Sequence, residues 1–155
     1  NRKIGLGVMG FADMLIRLGI PYASEEAIAV AEKLMSSMQS AGREASTTLC
    51  EERGVFPNFK GSIYDKLNVP VRNATVTTIA PTGTISIIAG CSSGIEPLFA
   101  LAFRRNVMEG TELIEVNPLF HEIAGEMGFD SPELMKQVAE KGSLEGVSAV
   151  PDQVY

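Results

Sequence analysis

The chain has 155 residues, 45% of them hydrophobic and 21% charged, with a net charge of -6 at pH 7. That is long and apolar enough to bury a core. It is too acidic for a nucleic-acid surface, which needs clustered Lys and Arg. The longest uncharged stretch, Ile79 to Ile95, is broken by Thr, Ser, Gly and Pro, so no membrane-spanning helix is expected.

Ile4 to Leu18 is apolar nearly all round, with Asp13 and Arg17 as its main polar pair, and predicts a buried helix. It contains Gly5-Leu6-Gly7-Val8-Met9-Gly10, a literal G-x-G-x-x-G. A dinucleotide fingerprint needs a preceding strand and an acidic residue about twenty positions on. Only Asn1 to Ile4 precede it, and apart from Asp13 nothing acidic follows before Glu25, so the glycines are expected to let a helix lie close to a neighbour. Ser24 with Glu25 and Glu26 is an N-cap with acids in the first turn. Ala27, Ala31, Leu34, Met38, Ala41, Ala45 and Leu49 then recur at spacings of four and three. They predict one helix to Arg53, about 43 Å long if unbroken, with Gly42 as a candidate kink and Gly54 as its stop. Val55 to Phe59 is an irregular segment that pins the helix end.

Thr75-Val76-Thr77-Thr78-Ile79 is a β-branched run that predicts a buried strand. Pro81-Thr82-Gly83-Thr84 breaks it, and Ile85 to Ala89 is short, apolar and closed by Gly90. A strand, a Thr/Gly turn and a helix start would gather backbone N–H groups into an anion site. A strand-turn-strand corner is the other reading of the same residues. Beyond it, Leu98 to Val107 and Thr111 to Val116 predict two strands joined around Glu109-Gly110. Asn117-Pro118 and Ser131-Pro132 each predict a capped helix, ending at Gly128 and Gly142. From Ser143 a loop is expected.

Little here looks like reactive chemistry. His121-Glu122 lacks a second histidine at position 125, which is Gly, so a surface histidine is expected. Cys50 lies beside Glu51 and Glu52, which disfavour its thiolate, and reads as structural. Cys91, before Ser92-Ser93-Gly94, is placed where it could sit near the anion turn, but a small buried thiol is the commoner case and the one expected. Glu96 between Ile95 and Pro97 is expected to fix a turn by hydrogen bonding. The two cysteines make neither a disulfide framework nor a metal spacing, and fit a reducing, cytoplasmic setting. Starting at Asn1 without Met and stopping at Tyr155 without a polar tail, the chain is expected to be a piece of a larger one.

Arg72 to Pro97, RNATVTTIAPTGTISIIAGCSSGIEP, resembles the catalytic subunit of ribonucleotide reductase, closest in form to the adenosylcobalamin-dependent class II enzymes. Arg2 to Asp13, Gly54-Val-Phe-Pro57 and Glu115-Val-Asn-Pro118 extend the resemblance in one register over nearly the whole chain. It implies an α/β fold, with residues 1–155 forming a single fragment of the ten-stranded α/β barrel of ribonucleotide reductases. It implies that Pro81, Thr82, Gly83, Thr84, Ile85 and Ser86 form the substrate-phosphate-binding turn. Backbone N–H groups of Thr82 to Ile85 would act with the hydroxyls of Thr82, Thr84 or Ser86, while Pro81 shapes the turn.

The implied parent reduces ribonucleotides by thiyl-radical chemistry for DNA synthesis, with adenosylcobalamin as cofactor and a thioredoxin-type reductant. The fragment's partners would be the ribonucleotide substrate and the remainder of the reductase chain, with no nucleic acid or membrane; removed from the barrel, its exposed strand edges could pair between copies of it as a homo-oligomer. Thr48-Leu49-Cys50-Glu51-Glu52 imitates the family's N-x-C-x-E finger-loop motif but lacks its asparagine and lies on a predicted helix, so Cys50 is not assigned as the radical site. Cys91 has no partner for a reducing pair. No catalytic or metal-binding residue is therefore expected here, and the fragment alone is expected to be inactive. The alternative is a self-contained α/β binding or scaffold module with an anion-binding turn.

Overall fold

A computed structural model of the chain describes residues 1–106, 112–151 and 154. They form two compact units, Asn1–Pro97 and Leu98–Tyr155.

In the first unit the apolar N-terminal run is not one helix. Residues 4–6 are extended and pair in parallel with the β-branched run: the Ile4 N–H donates to the Thr75 carbonyl (3.1 Å), Leu6 N–H to Val76 (2.9 Å), and Thr78 N–H to Leu6 (3.0 Å). Only Leu6 and Thr77 form a regular bridge in this region, so residues 75–79 are not the buried strand expected: Val76 is buried, but Ile79 is 71% exposed. The glycines do serve close approach, but between extended backbones rather than helices. A Cβ on Gly5 would stand 2.7 Å from the Thr78 side chain, and one on Gly7 would stand 2.6 Å from the Thr78 carbonyl oxygen. Helix α1 is Phe11–Leu18, begun by a left-handed Gly10 and ended by a left-handed Gly19. Ile4, Leu6 and Leu18 are more than half exposed, against the expectation of burial.

Helix α2, Glu25–Arg53, has the expected bounds: the Ser24 hydroxyl accepts from the Ala27 N–H, and the Gly54 N–H returns to the Cys50 carbonyl. It runs through Gly42 without interruption. A Cβ there would lie 3.2 Å from Val76, so this glycine lets the helix seat against the extended run. A buried pair locks the same face, with the Asn73 N–H donating to Ser46 Oγ (2.9 Å) and Ser46 Oγ donating to Asn73 Oδ1 (3.1 Å). Phe56, 3% exposed, pins the end of α2 with edge-on contacts to Phe59 and Tyr64. Tyr64 lies on α3, Ile63–Lys66, a single turn started by the Ser62 hydroxyl. Phe11, Leu15 and Ala27 centre an apolar cluster joining α1 and α2, with Leu34 and Ile95 against it.

Helix α4, Gly83–Ala89, follows the turn, which decides for the helix start over the strand-turn-strand corner. In the second unit β1, Ala102–Asn106, pairs antiparallel with β2, Glu112–Val116, in the register Ala102 to Val116 and Asn106 to Glu112. The expected junction at Glu109-Gly110 lies outside the described residues. Helices α5, Pro118–Glu126, and α6, Pro132–Lys141, start at Asn117 and Ser131, whose side chains accept first-turn amides. Met127, at the C-terminal end of α5, is 42% exposed. Phe120, Ala124, Leu134, Met135 and Val138 form the core with Ala102, and Val147 and Val150 anchor the C-terminal loop in it.

Candidate functional site

The six residues 81–86 form the entry to α4. Thr82 takes φ 55°, ψ 22°, a left-handed conformation that strains a β-branched residue by about 1–3 kcal/mol. Its hydroxyl does not cap its own helix; it accepts the Gly94 N–H at 2.7 Å. The first intrahelical bond runs from the Ser86 N–H to the Thr82 carbonyl at 2.8 Å. The amides of Gly83, Thr84 and Ile85 thus precede the helical ladder and have no acceptor within it. Those three residues and Pro81 are exposed.

Ser86 is different. It is 1% exposed, and its Oγ lies 3.2 Å from the Gly83 carbonyl, to which it donates, and 3.0 Å from Ser93 Oγ. Its hydroxyl therefore holds the turn together from beneath. Of the three hydroxyls in the set, only that of Thr84 belongs to an exposed residue. Gly83 is the telling position. A Cβ there would meet nothing within 4 Å, and its φ is not in the left-handed range. Packing among the described residues does not require a glycine at 83, and its absent side chain leaves the amides open to approach.

Residues 91–94 fold back under this turn. The Cys91 N–H donates to the Ser86 carbonyl at 3.0 Å. Gly94 carries φ 48°, and a Cβ on it would stand 2.7 Å from the Ala80 carbonyl oxygen. The Glu96 carboxylate does not close this turn; its backbone N–H does so, bonding the Ser93 carbonyl at 2.9 Å while the residue stays exposed. The loop also reaches α1: the Gly10 N–H donates to the Ser92 carbonyl (2.7 Å), and the Ser92 N–H donates to Asp13 Oδ2 (2.7 Å). Asp13 and Ser92 are 79 positions apart. No local pattern links them, and sequence reasoning missed both.

Cys50 is buried in α2 and Cys91 is half-buried; both are free thiols. His121 is exposed and pairs with Asp130 at 3.2 Å. Among the described residues no group of His, Cys, Asp and Glu is placed to hold a metal ion, and no helix is long and apolar enough to cross a membrane. A cavity of about 410 Å³ lies between α1, α2 and the extended run, lined by Phe11, Ala31, Met35 and Ile79 among others. It is apolar and includes none of residues 81–86.

The family model described as "Ribonucleotide reductase, barrel domain" matches residues 1–71 and 65–155. A vitamin B12-dependent ribonucleoside-diphosphate reductase of Thermoplasma acidophilum is 64% identical over 147 residues, covering 95% of this chain and 19% of the relative. One from Mycobacterium tuberculosis is 51% identical over 154 residues, covering 99% and 22%. The chain thus spans about a fifth of the length of these curated relatives. The solved class Id ribonucleotide reductase alpha subunit of Actinobacillus ureae superposes with a TM-score of 0.78 at 25% identity, covering 99% of this chain and 26% of that one. A match along the whole sequence, reproduced in the backbone, makes this α/β chain a member of the ribonucleotide reductase barrel-domain family.

Proposed function

We propose that this chain is the part of a vitamin B12-dependent ribonucleoside-diphosphate reductase that holds the phosphates of the ribonucleotide substrate. The observation that carries the reading is the open turn at 82–85: three exposed residues whose amides have no helical acceptor, beside a glycine that local packing does not require. Amide donors to a charged oxygen form short, strong bonds in fixed directions, so such a turn can orient a diphosphate without a basic side chain. Pro81 and the strained Thr82 set the turn, Ser86 and Ser93 brace it, and Thr84 is the exposed hydroxyl that can add a bond.

The identity to the two B12-dependent relatives supports the choice of cofactor class for the parent. When bound, adenosylcobalamin supplies the radical that starts ribonucleotide reduction. The apolar cavity between α1, α2 and the extended run does not fit the corrinoid by itself. At about 410 Å³ it is small and apolar, whereas a corrin macrocycle is larger and carries amides that need hydrogen-bonding partners. The chain's own work in this scheme is to bind and orient substrate. Radical generation, the reducing cysteine pair and the thioredoxin-type reductant belong to the remainder of the parent chain and its partners. A cytoplasmic setting fits two free cysteines.

The test is Gly83→Ala in the full-length reductase. A methyl group there has room in the protein, so thermal stability should hold. Displacing the phosphates from one charge-assisted bond should raise KM for the ribonucleoside diphosphate about tenfold or more. An unchanged KM would overturn the assignment.

A further inference from the structure

We propose that Asp13 is a positioning residue for the phosphate-binding turn, acting through the loop Cys91–Gly94; this rests on the reading of residues 82–85 given above. Helix α1 has no side-chain N-cap, because Gly10 occupies that place. Three of its four orphan amides are satisfied by the distant loop instead: the Gly10 N–H by the Ser92 carbonyl (2.7 Å), the Phe11 N–H by the Gly94 carbonyl (3.3 Å), and the Asp13 N–H by Ser92 Oγ (3.4 Å). The Asp13 carboxylate completes the set by accepting the Ser92 N–H at 2.7 Å. At 2.7 Å that bond is short, and what it requires of residue 13 is an acceptor oxygen at this point.

The same loop holds the turn from its other side. Gly94 N–H binds the Thr82 hydroxyl at 2.7 Å, and Ser93 Oγ meets Ser86 Oγ at 3.0 Å. Gly94 is pressed against Ala80, where a Cβ would come within 2.7 Å of its carbonyl oxygen. A displacement of Ser92 therefore reaches Thr82 through two residues with no slack. Thr82 is the residue held in a strained conformation, and it sets the direction of the three open amides that follow. Asp13 never contacts the substrate. It fixes the loop that fixes the turn.

The test measures KM and kcat for ribonucleoside diphosphate in the full-length reductase carrying Asp13→Ala, Asp13→Asn, Asp13→Glu or Gly83→Ala. Asp13→Ala should raise KM about tenfold with a smaller change in kcat. Asn keeps a carbonyl oxygen where Asp13 Oδ2 lies and should return KM to within about twofold of wild type. Glu keeps the charge but moves the acceptor by a methylene, and should not. Should Asp13→Ala fail to fold, the contrast between Asn and Glu decides the matter; equal KM values in those two overturn the positioning role. A wild-type KM in Asp13→Ala beside a raised KM in Gly83→Ala also overturns it, leaving the phosphate turn standing. An unchanged KM in Gly83→Ala overturns the phosphate reading itself.

Discussion

Gly7→Ala probes the pairing on which the first unit is built. The added Cβ would start 2.6 Å from the Thr78 carbonyl oxygen, whereas C···O contacts settle at about 3.3–3.6 Å. The two extended segments must separate by about 0.7 Å or more to relieve that clash. The flanking bonds, Leu6 N–H to Val76 at 2.9 Å and Thr78 N–H to Leu6 at 3.0 Å, would then lengthen to about 3.6 Å and cease to be hydrogen bonds. Losing both costs about 1–3 kcal/mol. The reduced freedom of the unfolded chain returns about 0.4–1 kcal/mol. A net loss of about 1.3 kcal/mol at mid-range, and at most about 2.6, is expected, read as a lower urea midpoint together with faster exchange of the Leu6 and Thr78 amides. Gly125→Ala is the control. That helical glycine in α5 has open space around it, and alanine there should stabilise by about 0.5–1 kcal/mol. A Gly7→Ala protein with an unchanged midpoint and protected amides would refute the close-approach reasoning.

Ser46→Ala should destabilise the first unit by about 1–3 kcal/mol, because Asn73 would lose both bonds to the Ser46 hydroxyl in a buried setting; denaturant titration measures it. Leu134→Ala in α6, a position only 2% exposed, should cost about 2–5 kcal/mol, lowering the melting temperature of the second unit. Ile87 and Ile88 are 80% and 81% exposed on α4, an apolar surface that favours association. The 155-residue chain should sediment as a concentration-dependent mixture, with Ile87→Glu and Ile88→Glu together shifting it toward monomer. A concentration-independent monomer in the unsubstituted chain would contradict this.

What was legible in the sequence is what local chemistry decides. Ser24, Asn117-Pro118 and Ser131-Pro132 announce three helices because a cap is read from neighbouring residues, and Gly54 and Gly142 stop two of them for the same reason. The break at Thr82-Gly83 was likewise legible, whereas the helix to Ala89 was one of two readings that its residues allowed. Ile4 to Leu18 misled because apolar composition all round is compatible with a buried helix, whereas the first residues pair as extended chain with a segment some seventy positions away. Single-turn α3 was missed, being shorter than any periodic signal. The exposure of Ile79, Ile87 and Ile88 could not be read at all, since apolar character marks a surface that can be covered without showing what covers it. The site's supports were hidden for a related reason. Asp13 and Ser92 meet only through tertiary folding, so the break at residues 81–83 could be read from its own residues while the contacts that hold it could not.

The central claim is that residues 82–85 grip phosphate. The most direct measurement compares calorimetric binding of a ribonucleoside diphosphate and of its nucleoside to the full-length reductase, with and without Gly83→Ala. A methyl group over the open amides should weaken the diphosphate about tenfold or more and leave the nucleoside unchanged. Equal weakening of both ligands, or none of either, would contradict the account.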